Sequence, residues 1–221
     1  MSSVLPAAVL FDMDGTLVDT EQLWWEAVED VAGRVGYALG PTDTADVVGH
    51  AIAHTATYLH AVVPEGPCVH ELSDALDAAF TDRVRGRIEP LPGVVALLDA
   101  LAEAEVPLAI VSASPRHVVD LVRDALGSAR FAVTVAAEDV ARTKPDPAPY
   151  LAAATALGVE PSACVAVEDT VVGVTSAEAA GCAVVAVRTT APIPAAPGRR
   201  VVASLAAVEP ADLRPALLAR A

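Results

Sequence analysis

The chain has 221 residues, a formal net charge of −15, 54% hydrophobic and only 4% aromatic residues. This acidity argues against binding nucleic acid through its phosphates, and it repels an anionic substrate unless positive charge is gathered locally. The apolar fraction excludes disorder and allows a large core of Ala, Val and Leu, while no apolar run reaches the roughly 20 residues of a membrane helix.

The first apolar run, Ala7 to Phe11, reads as a buried parallel strand. Asp12 and Asp14 follow it, two positions apart and therefore on one face, with Gly15-Thr16 as the exit. Two crowded carboxylates repel each other unless a proton or cation lies between them, and Mg²⁺ suits hard oxygen ligands. Asp-Gly is also a common turn pair, so this segment alone leaves a turn reading open.

The period then changes. Trp24, Ala27, Val28, Val31, Ala32 and Val35 recur at helical steps, and Gly36 and Gly40-Pro41 end that helix. Helical patterns continue over residues 43–63 and 70–86. Residues 18–87 are therefore expected to be an all-helical cap inserted after the first strand, with 1–17 and 88–221 forming the catalytic α/β core. Within the insertion, Glu21, Trp24, His50 and His54 are candidates to face a substrate. His50 and His54 are spaced as metal ligands on a helix can be, but no third ligand accompanies them.

From Leu91-Pro92-Gly93 onward, helices and strands alternate. Helices are expected at 94–104, 115–126, 147–157, 170–180 and 211–219, and strands at 106–111, 131–136, 163–167 and 182–187. An edge strand is expected at 201–203, and a Pro- and Ala-rich surface loop at 191–200. Ser114 is placed as a helix cap, with Pro115 in the first turn. Such alternation predicts a doubly wound, mostly parallel, Rossmann-like α/β sheet that binds ligands beyond the carboxyl ends of its strands.

Those strand ends carry a chemical pattern. Ser112-Ala113-Ser114 precedes a helix, and a hydroxyl beside free helix-start N–H groups can cradle a phosphate. Lys144 is the chain's only lysine and stands just before a Pro-bounded helix. Its compact ammonium suits holding a phosphoryl oxygen and a carboxylate together. Glu168-Asp169-Thr170 ends another apolar run. These acids can complete a Mg²⁺ site with Asp12, or they can be helix N-terminal acids.

In this order, Asp12-Met13-Asp14-Gly15-Thr16, Ser112, Lys144 and Glu168-Asp169 resemble the four motifs of the haloacid dehalogenase-like phosphohydrolases. The helical insertion is similar to the cap of the subfamily that includes β-phosphoglucomutase and many sugar-phosphate phosphatases. The resemblance implies Asp12 as nucleophile and Asp14 as acid/base. It implies Ser112, the Ala113 N–H and Lys144 as phosphate ligands. Mg²⁺ would be held by Asp12, the Asp14 backbone carbonyl, Asp169 and, with less claim, Glu168.

The expected activity is hydrolysis of a small sugar or polyol phosphate through an aspartyl-phosphate, and the alternative is a phosphomutase. Ile52 stands three positions after Gly49, where the mutases carry an arginine. Pro115-Arg116 follows Ser112-Ala113-Ser114, where they carry Lys-Asn. Both departures favour the phosphatase. Ser114 and Arg116 remain candidate substrate contacts, Arg116 either serving a distal anion or lying on the first-turn surface. No lysine occurs in 18–87, which removes Schiff-base chemistry of the phosphonatase type. A module that merely stores phosphate on an aspartate is disfavoured by the insertion and by Asp14.

Cys68, Cys164 and Cys182 lack metal-ligand spacing, and the last two lie in apolar runs as small core residues. The start of the chain lacks the pattern of a secretory signal. The expected protein is cytoplasmic and monomeric, with a small phosphorylated metabolite as partner and neither nucleic acid nor membrane.

Overall fold

The computed structural model describes residues 5–187 and 193–215. Within them, strands β1 (Ala8–Phe11), β2 (Leu108–Val111), β3 (Val133–Val135), β4 (Cys164–Glu168), β5 (Ala183–Val187) and β6 (Arg199–Val202) form one sheet. Their order is β3-β2-β1-β4-β5-β6, and every neighbouring pair is parallel. The chain winds outward from β1 to β3, then returns to β1's other side to begin β4. The strand order therefore switches beside β1, and the crevice of a doubly wound sheet opens there, past the ends of β1 and β4.

Four helices follow β1 before the chain returns to the sheet: α1 (Glu21–Arg34), α2 (Thr44–Val47), α3 (Ile52–Val62) and α4 (Val69–Val84). Helix α4 packs on both α1 and α3. The chain enters and leaves this segment side by side, with Leu91 N–H donating to Leu17 O at 3.0 Å and Asp19 N–H to Glu89 O at 3.2 Å. The remaining helices α5 (Val94–Glu103), α6 (Arg116–Leu126), α7 (Ala148–Leu157) and α8 (Val171–Ala179) flank the sheet. No helix among the described residues is long and apolar enough to cross a membrane.

Strand alternation sorts the core into two layers. Val9 and Phe11 of β1, with Val165 and Val167 of β4, join one cluster with Leu97, Leu101 and Val118 of α5 and α6. Ala8 and Leu10, with Cys164 and Ala166, join a second with Tyr150 of α7 and Val174 of α8. Residues two apart share a face, so Glu168, continuing the Cys164-Ala166 row, projects toward α7. Cys164 and Cys182 are buried free thiols of this second layer, and Cys68 is free and exposed.

The sequence-predicted elements are recovered with shortened ends, with three substantive differences. The single helix expected over 43–63 is two. A 3₁₀ turn (Pro41–Asp43) and α2 are followed by an extended Val48 and a left-handed Gly49 (φ 77°), and α3 begins only at Ile52. Glycine tolerates that conformation, and no apolar periodicity records such a break. The edge strand β6 begins at Arg199, inside the expected 191–200 loop. The closing helix expected over 211–219 starts on a 3₁₀ turn, Pro210–Asp212, and its part beyond 215 lies outside the described residues.

Polar ties also hold the helical segment together. Asp43 accepts from Gly40 N–H at 2.6 Å, from the Tyr37 hydroxyl at 2.8 Å and from the Tyr58 hydroxyl. The Tyr58 and Gly40 donors hold its carboxyl below the usual carboxylate range. His117 of α6 meets α4, with Nε2 2.7 Å from Thr81 Oγ1 and 3.1 Å from Asp77 Oδ1.

Candidate active site

Asp12 follows β1 directly and its N–H donates to Val167 O of β4 at 2.9 Å, which fixes it at the switch in strand order. Its side chain is buried beside a stacked charge system. Lys144 Nζ donates to Asp12 Oδ1 and to Glu168 Oε1, each at 2.6 Å. The Tyr150 hydroxyl donates to the same Glu168 oxygen at 2.6 Å. The other Glu168 oxygen, Oε2, accepts from Asp169 N–H at 3.2 Å and from the Thr170 hydroxyl at 3.3 Å. Both Glu168 oxygens are thus engaged in aiming Lys144 and shaping the β4–α8 turn.

Asp14 is held differently. Beyond Met13 the chain turns, with Leu17 N–H donating to Met13 O at 2.9 Å, and Asp14 faces hydroxyls instead of the ammonium. Thr20 donates to Asp14 Oδ1 at 2.5 Å, while Ser114 and Ser112 donate to Oδ2 at 2.7 and 3.1 Å. Helix α6 begins at Arg116 after Pro115, and the Ser114 side chain is spent on Asp14, not on a helix cap as expected.

Two glycines make room for the acids. Gly15 is left-handed (φ +82°), and a Cβ there would stand 2.2 Å from Asp169 Oδ2. A Cβ at Gly173 would stand 1.9 Å from Glu168 Oε1. Because Glu168 is fully buried, it has no room to give way. Gly173→Ala is therefore expected to cost about 3 kcal/mol, read as a fall in the denaturant midpoint, with turnover lost as Lys144 is displaced.

The electrostatics are those of an anion-rich pocket with one cation. Burial pushes the Asp12 carboxyl up from 3.8 to about 7; Lys144 opposes this, while Glu168 and Asp14 add to it. Burial, then Asp12 and Glu168, raise Asp169 well above its usual range. Burial alone would lower Lys144, but the two carboxylates it bridges outweigh that and hold it protonated.

One oxygen each of Asp12, Glu168 and Asp169 lie within 4.8 Å of one another, all three residues buried. Asp12 Oδ2 has no hydrogen-bond partner among the described residues. A hard divalent cation fits this donor set, because it satisfies that buried oxygen and offsets the three clustered carboxylates, which have a single ammonium beside them.

These groups open on a cleft that is continuous with solvent. Asp12, Asp14, Ala113, Ser114, Lys144 and Asp169 line its inner end. Glu21, Trp24 and His50 line it from the helical side. His54 stacks on His50 with ring centroids 4.0 Å apart. His50 sits in the break before α3, so the pair is not on one helix as expected. Ser112 is buried behind Ala113 and is not part of the lining.

Arg116, expected as a candidate substrate contact, is not in the lining either. It donates to Thr134 Oγ1 at 2.6 Å, pairs with Asp139 and lies 3.6 Å from Asp120, all away from the cleft.

Sequence reasoning missed Thr20, Tyr150, Phe80 and the Thr170 hydroxyl. Tyr150 left one signal: a phenol set in the apolar stretch of α7 needs a buried partner.

The chain matches the family model of haloacid dehalogenase-like hydrolases over residues 6–181. It is 36% identical over 188 residues to hexitol phosphatase A of Escherichia coli (strain K12), covering 84% of each chain. It is 32% identical over 182 residues to validoxylamine A 7'-phosphate phosphatase of Streptomyces hygroscopicus subsp. limoneus, covering 82% of this chain and 85% of that one. Among solved structures, CbbY from Rhodobacter sphaeroides in complex with phosphate superposes with a TM-score of 0.79 at 24% identity, covering 92% and 96% of the two chains; this likeness concerns the fold alone. Family match, sheet order and strand-end chemistry agree, and the chain belongs to the haloacid dehalogenase-like hydrolases.

Proposed function

We propose that this chain is a Mg²⁺-dependent phosphatase that hydrolyses a small phosphomonoester, a sugar or polyol phosphate, through an aspartyl-phosphate on Asp12. The observation that carries this reading is the placement of a buried aspartate at the switch in strand order, bridged by the chain's only lysine and facing an open cleft. Phosphatase-named relatives that align over most of the chain support the same activity.

In this reading Asp12 attacks phosphorus and the bond to the leaving oxygen breaks. Asp14 gives that oxygen its proton and then takes one from the water that cleaves the aspartyl-phosphate. The hydroxyls of Thr20, Ser112 and Ser114 orient Asp14 for both steps. Lys144 and the Ala113 N–H bind phosphoryl oxygens. Glu168, with both oxygens occupied, positions Lys144 rather than serving as a principal metal ligand. Mg²⁺ would be held by Asp12, Asp169 and the Asp14 carbonyl, and when bound it offsets charge on the transferring group. Residues 18–87 act as a cap over the reacting end, hinged near 18–20 and 86–90, and exclude water when closed. The phosphomutase alternative is not favoured: Ile52, not a cation, faces the cleft, and Arg116 is tied elsewhere.

The direct test is turnover of p-nitrophenyl phosphate and a sugar-phosphate panel. Phosphate release is expected with Mg²⁺ and a loss of at least about 100-fold after chelation, restored by adding the ion back. Undiminished release from the chelated protein would remove the metal from the proposal.

A further inference from the structure

The inner end of the cleft accounts for one phosphate; the outer wall bears on the rest of the substrate. Trp24, Val48, Ile52 and Phe80 present apolar surface there. Trp24 and Phe80 meet edge to face, with centroids 5.3 Å apart at 78°, so the wall is fixed in shape. The Trp24 indole N–H is spent on Val47 O at 2.7 Å. The hydroxyls of Thr20 and Ser114 are spent on Asp14, and that of Thr170 on Glu168. Apart from the groups at the reacting end, the polar side chains of the described lining are Glu21, itself engaged by a neighbour, and His50, whose Nε2 lies 3.1 Å from Ala45 O. Burial, and then His54, lower the His50 pKa, which disfavours its charged form.

Charge makes the wall selective. The described lining holds four carboxylates (Asp12, Asp14, Glu21 and Asp169), Lys144, and no arginine. Lys144 is already bridged to Asp12 and Glu168. A second anion on the substrate would be desolvated beside carboxylates with no cation to meet it. An uncharged ring, by contrast, can lay its C–H face on Trp24 and Ile52 and turn its hydroxyl edge to Glu21 and His50.

Resting on the phosphatase reading above, we infer that the outer wall selects phosphomonoesters whose leaving group is uncharged and carries one apolar face, and rejects substrates with a second anionic group. Ile52 and Trp24 are its specificity-determining residues. An open-chain polyol, hydroxylated on all sides, matches this wall less well than a sugar ring does.

The experiment compares kcat/KM of the wild-type protein with Mg²⁺ on glucose 6-phosphate, sorbitol 6-phosphate, 6-phosphogluconate and fructose 1,6-bisphosphate. The two doubly anionic compounds are expected to fall about 100-fold or more below glucose 6-phosphate, and sorbitol 6-phosphate several-fold below it. Ile52→Arg should raise the ratio of bisphosphate to glucose 6-phosphate at least about ten-fold, while Ile52→Gln, equally polar but uncharged, should leave the ratio near the wild-type value. Comparable kcat/KM on all four compounds, with p-nitrophenyl phosphate turned over, would overturn the selection and spare the phosphatase reading. So would equal ratios in the Arg and Gln variants. Absence of any phosphomonoester turnover would overturn the phosphatase reading and this inference with it.

Discussion

Asp12→Asn is expected to abolish turnover, by about 10⁴-fold or more, while leaving the fold intact or firmer. The amide keeps the shape of the carboxylate but not its nucleophilicity, and Asp12 is the acid placed between Lys144 and the cleft. Stability separates this from a mere folding defect. In the metal-free protein, burial raises the Asp12 pKa from 3.8 to about 7. A raised carboxyl pKa means that the protonated form suits the fold, so stability is full below about 4 and is lost as pH rises toward about 7. The asparagine variant lacks that loss. Its midpoint, compared with wild type across pH 4 to 8 under chelation, should fall less than the wild type's, the remaining decline coming from Asp169, whose carboxyl is raised as well. The rise in thermal midpoint that Mg²⁺ gives the wild type should shrink in the variant, because one ligand has lost its charge. A variant with wild-type turnover would remove Asp12 as nucleophile.

The legibility of the site follows from where each signal lives. Strand ends were readable because an abrupt change from apolar to charged residues, as at Phe11-Asp12 or Val167-Glu168, has few other causes in a buried sheet. Lys144 stood out through composition, since it is the only lysine among fourteen lysine and arginine residues. What the sequence hid depends on the third dimension. Thr20 reaches Asp14 only because the chain folds back after Leu17. Tyr150 reaches Glu168 only because strand parity turns that carboxylate toward α7. The break at Val48–Ala51, which brings Gly49 and His50 to the cleft, was invisible because apolar spacing runs on through it. Gly49 was the one local hint: a Cβ there would sit 3.2 Å from the Thr170 side chain, close against the β4–α8 turn. Arg116 shows the opposite error, a charge close to the site in sequence that the start of α6 swings toward β3.

Replacing Lys144 should damage both stability and chemistry, because the same ammonium serves both. Its side chain is almost fully buried and lies 2.6 Å from each of two buried carboxylates. Lys144→Met keeps the length and much of the volume but leaves Asp12, Glu168 and Asp169 with no counter-charge from the protein. Breaking a buried ion pair by deleting one partner costs about 3–5 kcal/mol, and at this chain length that lowers the thermal midpoint by roughly 10 °C. Turnover should drop by about 10³-fold or more, since the phosphoryl oxygens lose their one cationic side-chain ligand. Mg²⁺ should restore part of the stability and little of the rate, because a cation among the acids relieves their repulsion without taking the place of Nζ. Lys144→Arg should not rescue either property. A planar fork needs room that a position bounded by Asp12, Glu168 and the Tyr150 ring, 5.3 Å from Nζ, does not provide. If the methionine variant unfolded at the wild-type temperature and kept its rate, the ammonium would be neither the keystone of the acid cluster nor a phosphate ligand, and the site would have to be rebuilt around a different cation.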